Sequence, residues 1–452
     1  MDVASGGRTA AKDDAYEIPR MIAIWQTISR LPAAALAPRM LLLLDQVAFS
    51  LTNFVLTIVI ARTYSAAEFG AYGVGLASAL AIQFAQRSLY IIGLSLMSER
   101  VARRRLGGIV AEHILFTGAT ILVLAIGAAG AVIAGIGRAG IEIAAATMVC
   151  AVVYFQADFD RAVLVKRGAY AGAFGLSVVY LLIVGVLAVL AKFAHLGFFP
   201  FMAGLGVACT LKGSWLALLR VAPRWGWAWR FLARDWRAYG WPALVQAATS
   251  AGGTHVPVIA LAAVRGPIEV AGFVAMRSLT QPLALILRSL DAVDKNRFRA
   301  QSGGTTAGAR RVFWRTTLIY GALGLGALAV LAIRPEAIVA LVYRDRYAGF
   351  GDLLLSWGCY VALLGLMLPL QSALYLMGKQ REITRWTVIS ALAGTGIAFA
   401  LCPSLGAWGA MAATLAAAVM NVLLGGMVVR HLIIGSLDLP LPKERRTGRV
   451  TG

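Results

Sequence analysis

The run MLLLLDQVAFSLTNFVLTIVIA at residues 40–61 decides the reading of this chain. At 1.5 Å per residue such a run crosses a hydrocarbon core about 30 Å thick, so it reads as a membrane-spanning helix. It nevertheless carries Asp45 and Asn53, which no lipid-facing helix needs. Runs of the same kind recur to the end of the chain. About twelve qualify as spans: Met40 to Ala61, Phe69 to Gln86 or on to Met97, Ile109 to Ala134, Ile141 to Phe159, Tyr170 to Ala191 and Leu196 to Leu219 in the first half. In the second they are Tyr239 to Val264, Ile268 to Val293, Val312 to Ile333, Phe350 to Met377, Trp386 to Leu401 and Leu405 to Val429. With 60% hydrophobic and 14% charged residues and a mean hydropathy of +0.76, no soluble core could hide the apolar surface. The expected fold class is an all-α integral membrane protein.

A net charge of +21 would suggest nucleic acid in a soluble chain. Here the location of the charge explains it, because basic residues are retained on the cytoplasmic side of membrane helices. Arg100, Arg103, Arg104 and Arg105 fall in one connection, Arg220, Arg224, Arg230, Arg234 and Arg237 in another, and the tails carry more. About 30 of the 42 basic residues fall on one side by this reading. Both termini are therefore expected in the cytoplasm of a multi-pass protein, with membrane lipids and no nucleic acid as partners. The expected organisation is a tail over 1–38, a six-helix bundle over 39–220, a basic linker over 221–238, a second six-helix bundle over 239–430 and a basic tail over 431–452. Met21, Ile24, Trp25, Ile28 and Leu31 share one helical face, which predicts an interfacial helix before the first span. No cleavable signal peptide is expected, since that stretch is broken by Arg20 and Arg30.

No enzyme signature emerges. Cys150, Cys209, Cys359 and Cys402 lie far apart in apolar segments, and His113, His195, His255 and His431 are scattered, so neither a metal site nor a disulfide framework is expected. Phosphate-cradling glycine loops and dinucleotide fingerprints are absent. The expectation is a protein that is not an enzyme and uses no cofactor.

Two segments look like copies. Ser65-Ala-Ala-Glu-Phe-Gly-Ala-Tyr72 enters the second span, and Gly266-Pro-Ile-Glu-Val-Ala-Gly-Phe273 enters the eighth, so Glu68 matches Glu269 and Tyr72 matches Phe273. A parallel repeat of six spans plus six would place them so, and in transporters the substrate lies between such halves. Two turns that independently chose small and acidic residues would look the same.

Polar residues within spans are the functional signal, because each is costly against lipid. Arg277, Gln281, Arg288 and Asp291 form one stripe on the eighth span, so they should line a seam or cavity. Arg288 and Asp291, at i,i+3, read equally as a structural pair. Arg87 and Lys212 read either as cavity lining or as side chains reaching the interface along their stems. Asp45 is a candidate for ion coupling, against capping or pairing with a nearby base. Asp158, Asp160 and Arg161 read as an interfacial charge cluster. The deep charges are mostly cationic, with Asn53 and Gln281 among them, as phosphate and sugar hydroxyls would require.

The run Asp45 to Phe54, with Ala61-Arg62 and Glu68-Phe-Gly-Ala-Tyr72, resembles the first helical hairpin of bacterial lipid-linked oligosaccharide flippases. These are the O-antigen and exopolysaccharide translocases of the multidrug/oligosaccharidyl-lipid/polysaccharide exporter superfamily. Gln86-Arg87, Asp160-Arg161-Ala162, Lys166-Arg167-Gly168, Gly266-Pro267, Val270 to Phe273, Arg277-Ser278-Leu279 and Val342-Tyr343 with Tyr347 are similar to further family segments. The resemblance implies about twelve helices in two bundles around an alternately accessible cavity, and no covalent chemistry. It implies a polyprenyl-diphosphate-linked oligosaccharide as cargo, flipped across the inner membrane for polysaccharide biosynthesis, with a glycan polymerase and glycosyltransferases as partners. Arg277, Gln281, Arg288, Arg87, Lys212 and Asn53 are the substrate-binding candidates. The alternatives are a multidrug or cation antiporter of the same superfamily and a membrane polysaccharide polymerase. The latter usually needs a large external loop, whereas the longest expected here runs only from Arg334 to Gly349.

Overall fold

The computed structural model describes residues 38–97, 99–133, 135, 137–217, 223–226, 241–301, 306–376 and 380–430. The expected interfacial helix, both tails and most of the basic linker lie outside these residues. Among the described residues the secondary structure is helical throughout. The first lobe comprises α1 (Pro38–Thr63), α2 (Ala66–Gln86), α3 (Glu99–Ile133), α4 (Arg138–Lys166), α5 (Tyr170–Phe193) and α6 (Phe198–Ala217). In the second lobe α7 (Trp241–Thr254) and α8 (Val256–Arg265) are two halves of one span. They are followed by α9 (Pro267–Gln301), α10 (Thr306–Ile333), α11 (Pro335–Tyr343), α12 (Gly351–Leu376), α13 (Gln380–Leu405) and α14 (Ala407–Val429). The near face is the membrane side on which α1 begins and α14 ends; the far face is opposite.

Nine of the described helices are long and apolar enough to cross a membrane by themselves. The inner helix α2 is not among them, because glycine and alanine replace bulky apolar residues along it and its surroundings are protein rather than lipid. Phe69, Ala71, Tyr72 and Ala79 are fully buried there. Past Gln86 the helix runs through a π turn at Arg87–Ile91 into Ile92–Leu96, as the longer reading of this span expects. The segment from Arg334 to Gly349, expected as a loop, is instead largely α11 and a short 3-10 turn at Arg344–Tyr347. Pro335 starts the helix where its missing N–H costs nothing, and buried Val339, Tyr343 and Tyr347 hold the segment down.

Helix pairing repeats between the lobes. In the first, α2 packs on α4, α1 on α5 and α4 on α6; in the second, α9 packs on α12, α7 and α8 on α13, and α12 on α14. The two copies sense the repeat motif alike: Tyr72 and Phe273 are both fully buried, and each acid serves a helix start. Glu68 accepts from the Ser65 backbone N–H at the start of α2, and Glu269 accepts from that of Ala407 at the start of α14.

The lobes meet most closely at the far face, where α2 lies against α9. A Cβ on Gly70 would stand 1.7 Å from the Pro267 carbonyl oxygen, and one on Gly73 would be 2.8 Å from Val274. Two arginines then clasp the lobes reciprocally. Arg62, near the end of α1, donates to the carbonyls of Val342 and Leu341 at the end of α11. Arg346 returns the contact, donating to the Ala61 and Tyr64 carbonyls at 3.0 and 2.6 Å. Each guanidinium meets the unsatisfied, partially negative carbonyl end of a helix from the other lobe. All four bonds join residues about 280 apart in sequence and seal the far face.

Gly70→Val should therefore force the lobes apart at the far face. A cysteine introduced at Val274 is expected to react at least severalfold faster with a membrane-impermeant thiol reagent in this background, and the same direction is expected for the Arg62→Ala/Arg346→Ala double variant. An unchanged rate in both would rule out the seal.

Candidate translocation site

The first lobe gathers a polar cluster on the inner stripe of α1. Asp45 is only 2% exposed, and a buried carboxylate requires charge or hydrogen-bond partners. It receives Arg161 Nε of α4 at 2.7 Å on one oxygen and the Ser177 hydroxyl of α5 at 2.5 Å on the other. The same guanidinium donates to Gln46 Oε1 at 3.3 Å and lies 4.8 Å from the centre of the Phe49 ring. A turn further on, the Tyr180 hydroxyl donates to Asn53 Oδ1 at 3.1 Å, and Lys212 Nζ of α6 lies 5.2 Å above the Tyr180 ring. Asp45, Phe49, Arg161, Ser177 and Lys212 line a pocket with room for about one water molecule.

The acids and Arg161 expected as one interfacial cluster separate in three directions. Asp158 takes Arg87 in a bidentate pair, with Nε at 2.6 Å and Nη2 at 2.9 Å. Asp160 is buried and accepts from Gln156, while Arg161 turns to Asp45. Consecutive helix residues point about 100° apart, so neighbours in sequence meet different helices. Gln156 also contacts His113, whose other ring nitrogen meets the Tyr90 hydroxyl; Gln83 and Gln86 donate to the Tyr154 and Phe155 carbonyls. These bonds tie the π turn of α2 onto α4.

In the second lobe the site is built on the break between α7 and α8. Pro257 has no N–H to donate, and the Val258 N–H turns back to His255, so the Thr254 carbonyl loses its regular helical donor. Arg277 Nη1 of α9 donates to that carbonyl at 3.2 Å, and the guanidinium lies 5.7 Å from the Trp357 ring centre. His255 is 5% exposed with Nδ1 unpartnered, and its ring faces Phe84 of α2 across the lobe interface at 6.1 Å. Arg288 lies further along α9 toward the near face and is exposed, with Gln281 between the two arginines. Asp291 accepts from Ser372, and Asp294 from Tyr320 at 2.8 Å, so the described contacts of Asp291 do not include a pair with Arg288.

Of the residues expected to bind substrate, Arg277, Gln281 and Arg288 share the α9 stripe, while Lys212 and Asn53 meet around Tyr180. Arg87 is drawn away to Asp158, with its side chain 44% exposed. The carboxylates Asp45, Glu142, Asp158, Asp160, Asp291 and Asp294 each engage a cation or a hydrogen-bond donor. Lys212, Arg277 and Arg288, by contrast, have no carboxylate at salt-bridge distance among the described residues, where the ion pairs are those of other cations. Tyr154 of α4 packs edge-on to Phe49 at 5.9 Å. Gln46, Tyr180, Ser177 and Trp357 belong to the site but carried no signal of their own in sequence, and Arg161 read as part of an interfacial charge cluster.

Neither a protein-family model nor a curated protein matches the chain in sequence. Solved structures match in fold. A multidrug resistance MATE family transporter of the MOP superfamily, in an inward-facing conformation, is 14% identical, with a TM-score of 0.62 over 86% of this chain and 96% of that one. The lipid II flippase MurJ in an inward closed conformation is 10% identical, with a TM-score of 0.66 over 86% and 87% of the two chains. An outward-facing MATE family transporter scores 0.52 at 14% identity, over 88% and 97%. The fold is that of the MOP-superfamily transporters and flippases, in a multi-pass membrane protein.

The Asp45–Arg161 pair predicts a stability test. Asp45→Asn leaves the largely buried Arg161 guanidinium without its counter-charge and should cost roughly 3–5 kcal/mol, read as a lowered unfolding midpoint in detergent. Arg87→Ala, which breaks a more exposed pair, should cost about 1 kcal/mol or less. Equal effects would contradict the difference in burial.

Proposed function

We propose that this protein is a flippase for polyprenyl-diphosphate-linked oligosaccharides, moving them across the bacterial inner membrane by alternating access for O-antigen or exopolysaccharide synthesis. One observation carries the reading: Arg277 and Arg288 lie within a span with no carboxylate at salt-bridge distance among the described residues, whereas the six carboxylates named above are engaged. A site with that imbalance attracts an anion, and arginine holds phosphate oxygens through paired N–H donors. Organic cations would call for the opposite, an accessible carboxylate free to receive them, which weighs against the multidrug reading.

In this scheme the near face is cytoplasmic, as the basic residues of its connections favour. The diphosphate enters between the lobes toward Arg277 and Arg288, while the prenyl chain stays in lipid. Release of the Arg62 and Arg346 clasp then lets the lobes rock and presents the headgroup to the far face. A glycan polymerase on that face and glycosyltransferases on the near face are the partners that such cargo requires. Ion coupling at Asp45 requires Arg161 to leave it, since the guanidinium already occupies the carboxylate.

Arg277→Ala should abolish flipping of polyprenyl-diphosphate-linked glycan in proteoliposomes while leaving insertion intact, and Arg277→Lys should retain part of the rate, because an ammonium keeps the charge but loses the planar fork. Full transport by Arg277→Ala, or cation-driven export of organic cations with no glycolipid transport, would overturn the proposal.

A further inference from the structure

Gln46 and Asn53 lie seven residues apart on α1, so they project from nearly the same face, about 10 Å apart along the axis, with Phe49 between them. The chemistry of their partners orients both amides. Arg161 has donors only, so Gln46 must turn its oxygen to it and its NH2 away. Asn53 gives its oxygen to the Tyr180 hydroxyl, which likewise leaves its NH2 directed elsewhere. Neither NH2 has a described protein partner, and both side chains are partly accessible. Charge around them cancels: Arg161 is paired with Asp45, and Lys212 stands within electrostatic reach of Asp45 and Asp160.

We infer that this stripe is the glycan seat, and that the lobes divide the substrate between them: the second lobe takes the diphosphate on Arg277, while the first takes an uncharged, hydroxyl-rich sugar on Gln46 and Asn53. The inference rests on the flippase reading and deepens it. Two amide donors about 10 Å apart, bracketing an aromatic ring, match the acceptor oxygens of roughly two pyranose rings. The cancelled charge gives an acidic sugar no advantage there, whereas the second-lobe site is cationic and suits the phosphates.

The test uses the full chain in nanodiscs, with binding measured for bare polyprenyl diphosphate, for the same lipid carrying a neutral disaccharide, and for one carrying a uronic acid in the second position. Wild type is expected to prefer the neutral glycolipid over the bare lipid by about tenfold, the worth of one or two hydrogen bonds, and to gain nothing from the uronate. The near-isosteric changes Asn53→Leu and Gln46→Met should each reduce that ratio by about threefold or more. Arg277→Ala should weaken all three lipids and keep the ratio. Equal binding of bare and glycosylated lipid by wild type, a preference for the uronate, or an unchanged ratio in both amide variants would overturn the glycan seat alone. Binding of none of the three by wild type would overturn the flippase reading with it.

Discussion

A charge inside a lipid-surrounded helix bundle must find an opposite charge or hydrogen-bond partners, and the inner architecture of this protein follows from how that demand is met. In the first lobe it is met almost completely. Asp45 binds Arg161 and Ser177 and Asp158 binds Arg87, so two acids stitch α1, the end of α2, α4 and α5 together, while Asp160 binds Gln156 within α4. In the second lobe the described acids named above are engaged, yet among the described residues Arg277 meets a carbonyl and an aromatic ring and no acid at salt-bridge distance. That residual positive charge distinguishes a structural network from a site that receives something.

The same logic operates on the backbone. Interrupting the seventh span at His255 takes the Val258 N–H away from the Thr254 carbonyl, and non-helical backbone at membrane depth persists only where protein satisfies it. Arg277 does so, which ties the helix break to the cation most directly involved in the proposed binding. At the far face Arg62 and Arg346 satisfy the carbonyl ends of helices in opposite lobes, so the seal is made of bonds that must break if the lobes rock. Gly70 and Gly73 allow the close approach that brings those bonds into register.

The spans were legible because hydrocarbon imposes a length and a polarity on every crossing helix, and the repeat was legible at Glu68 and Glu269 because turn chemistry is local. The α9 stripe was also legible, since Arg277, Gln281 and Arg288 lie on one element whose geometry is known. Pairing was not. Arg161 stood beside Asp158 and Asp160 and read as their neighbour, yet its partner is Asp45, 116 positions earlier. Arg87 read equally as cavity lining or as a side chain reaching the interface until α4 supplied Asp158. The segment 334–349 read as a loop because its apolar run, 337–343, is too short to cross a membrane, and burial against α12 and the first lobe holds it as a helix.

By itself, the sequence determined that this protein crosses the membrane about twelve times, that its halves repeat, and that cations and amides lie where lipid would reject them. Those are properties of single helices, and hydropathy and helical periodicity encode them directly. Only the tertiary structure decided which cations are neutralised and which remain without an acid, and which face of the molecule is sealed. Contacts between helices hundreds of residues apart depend on how whole lobes pack, and no local spacing records that.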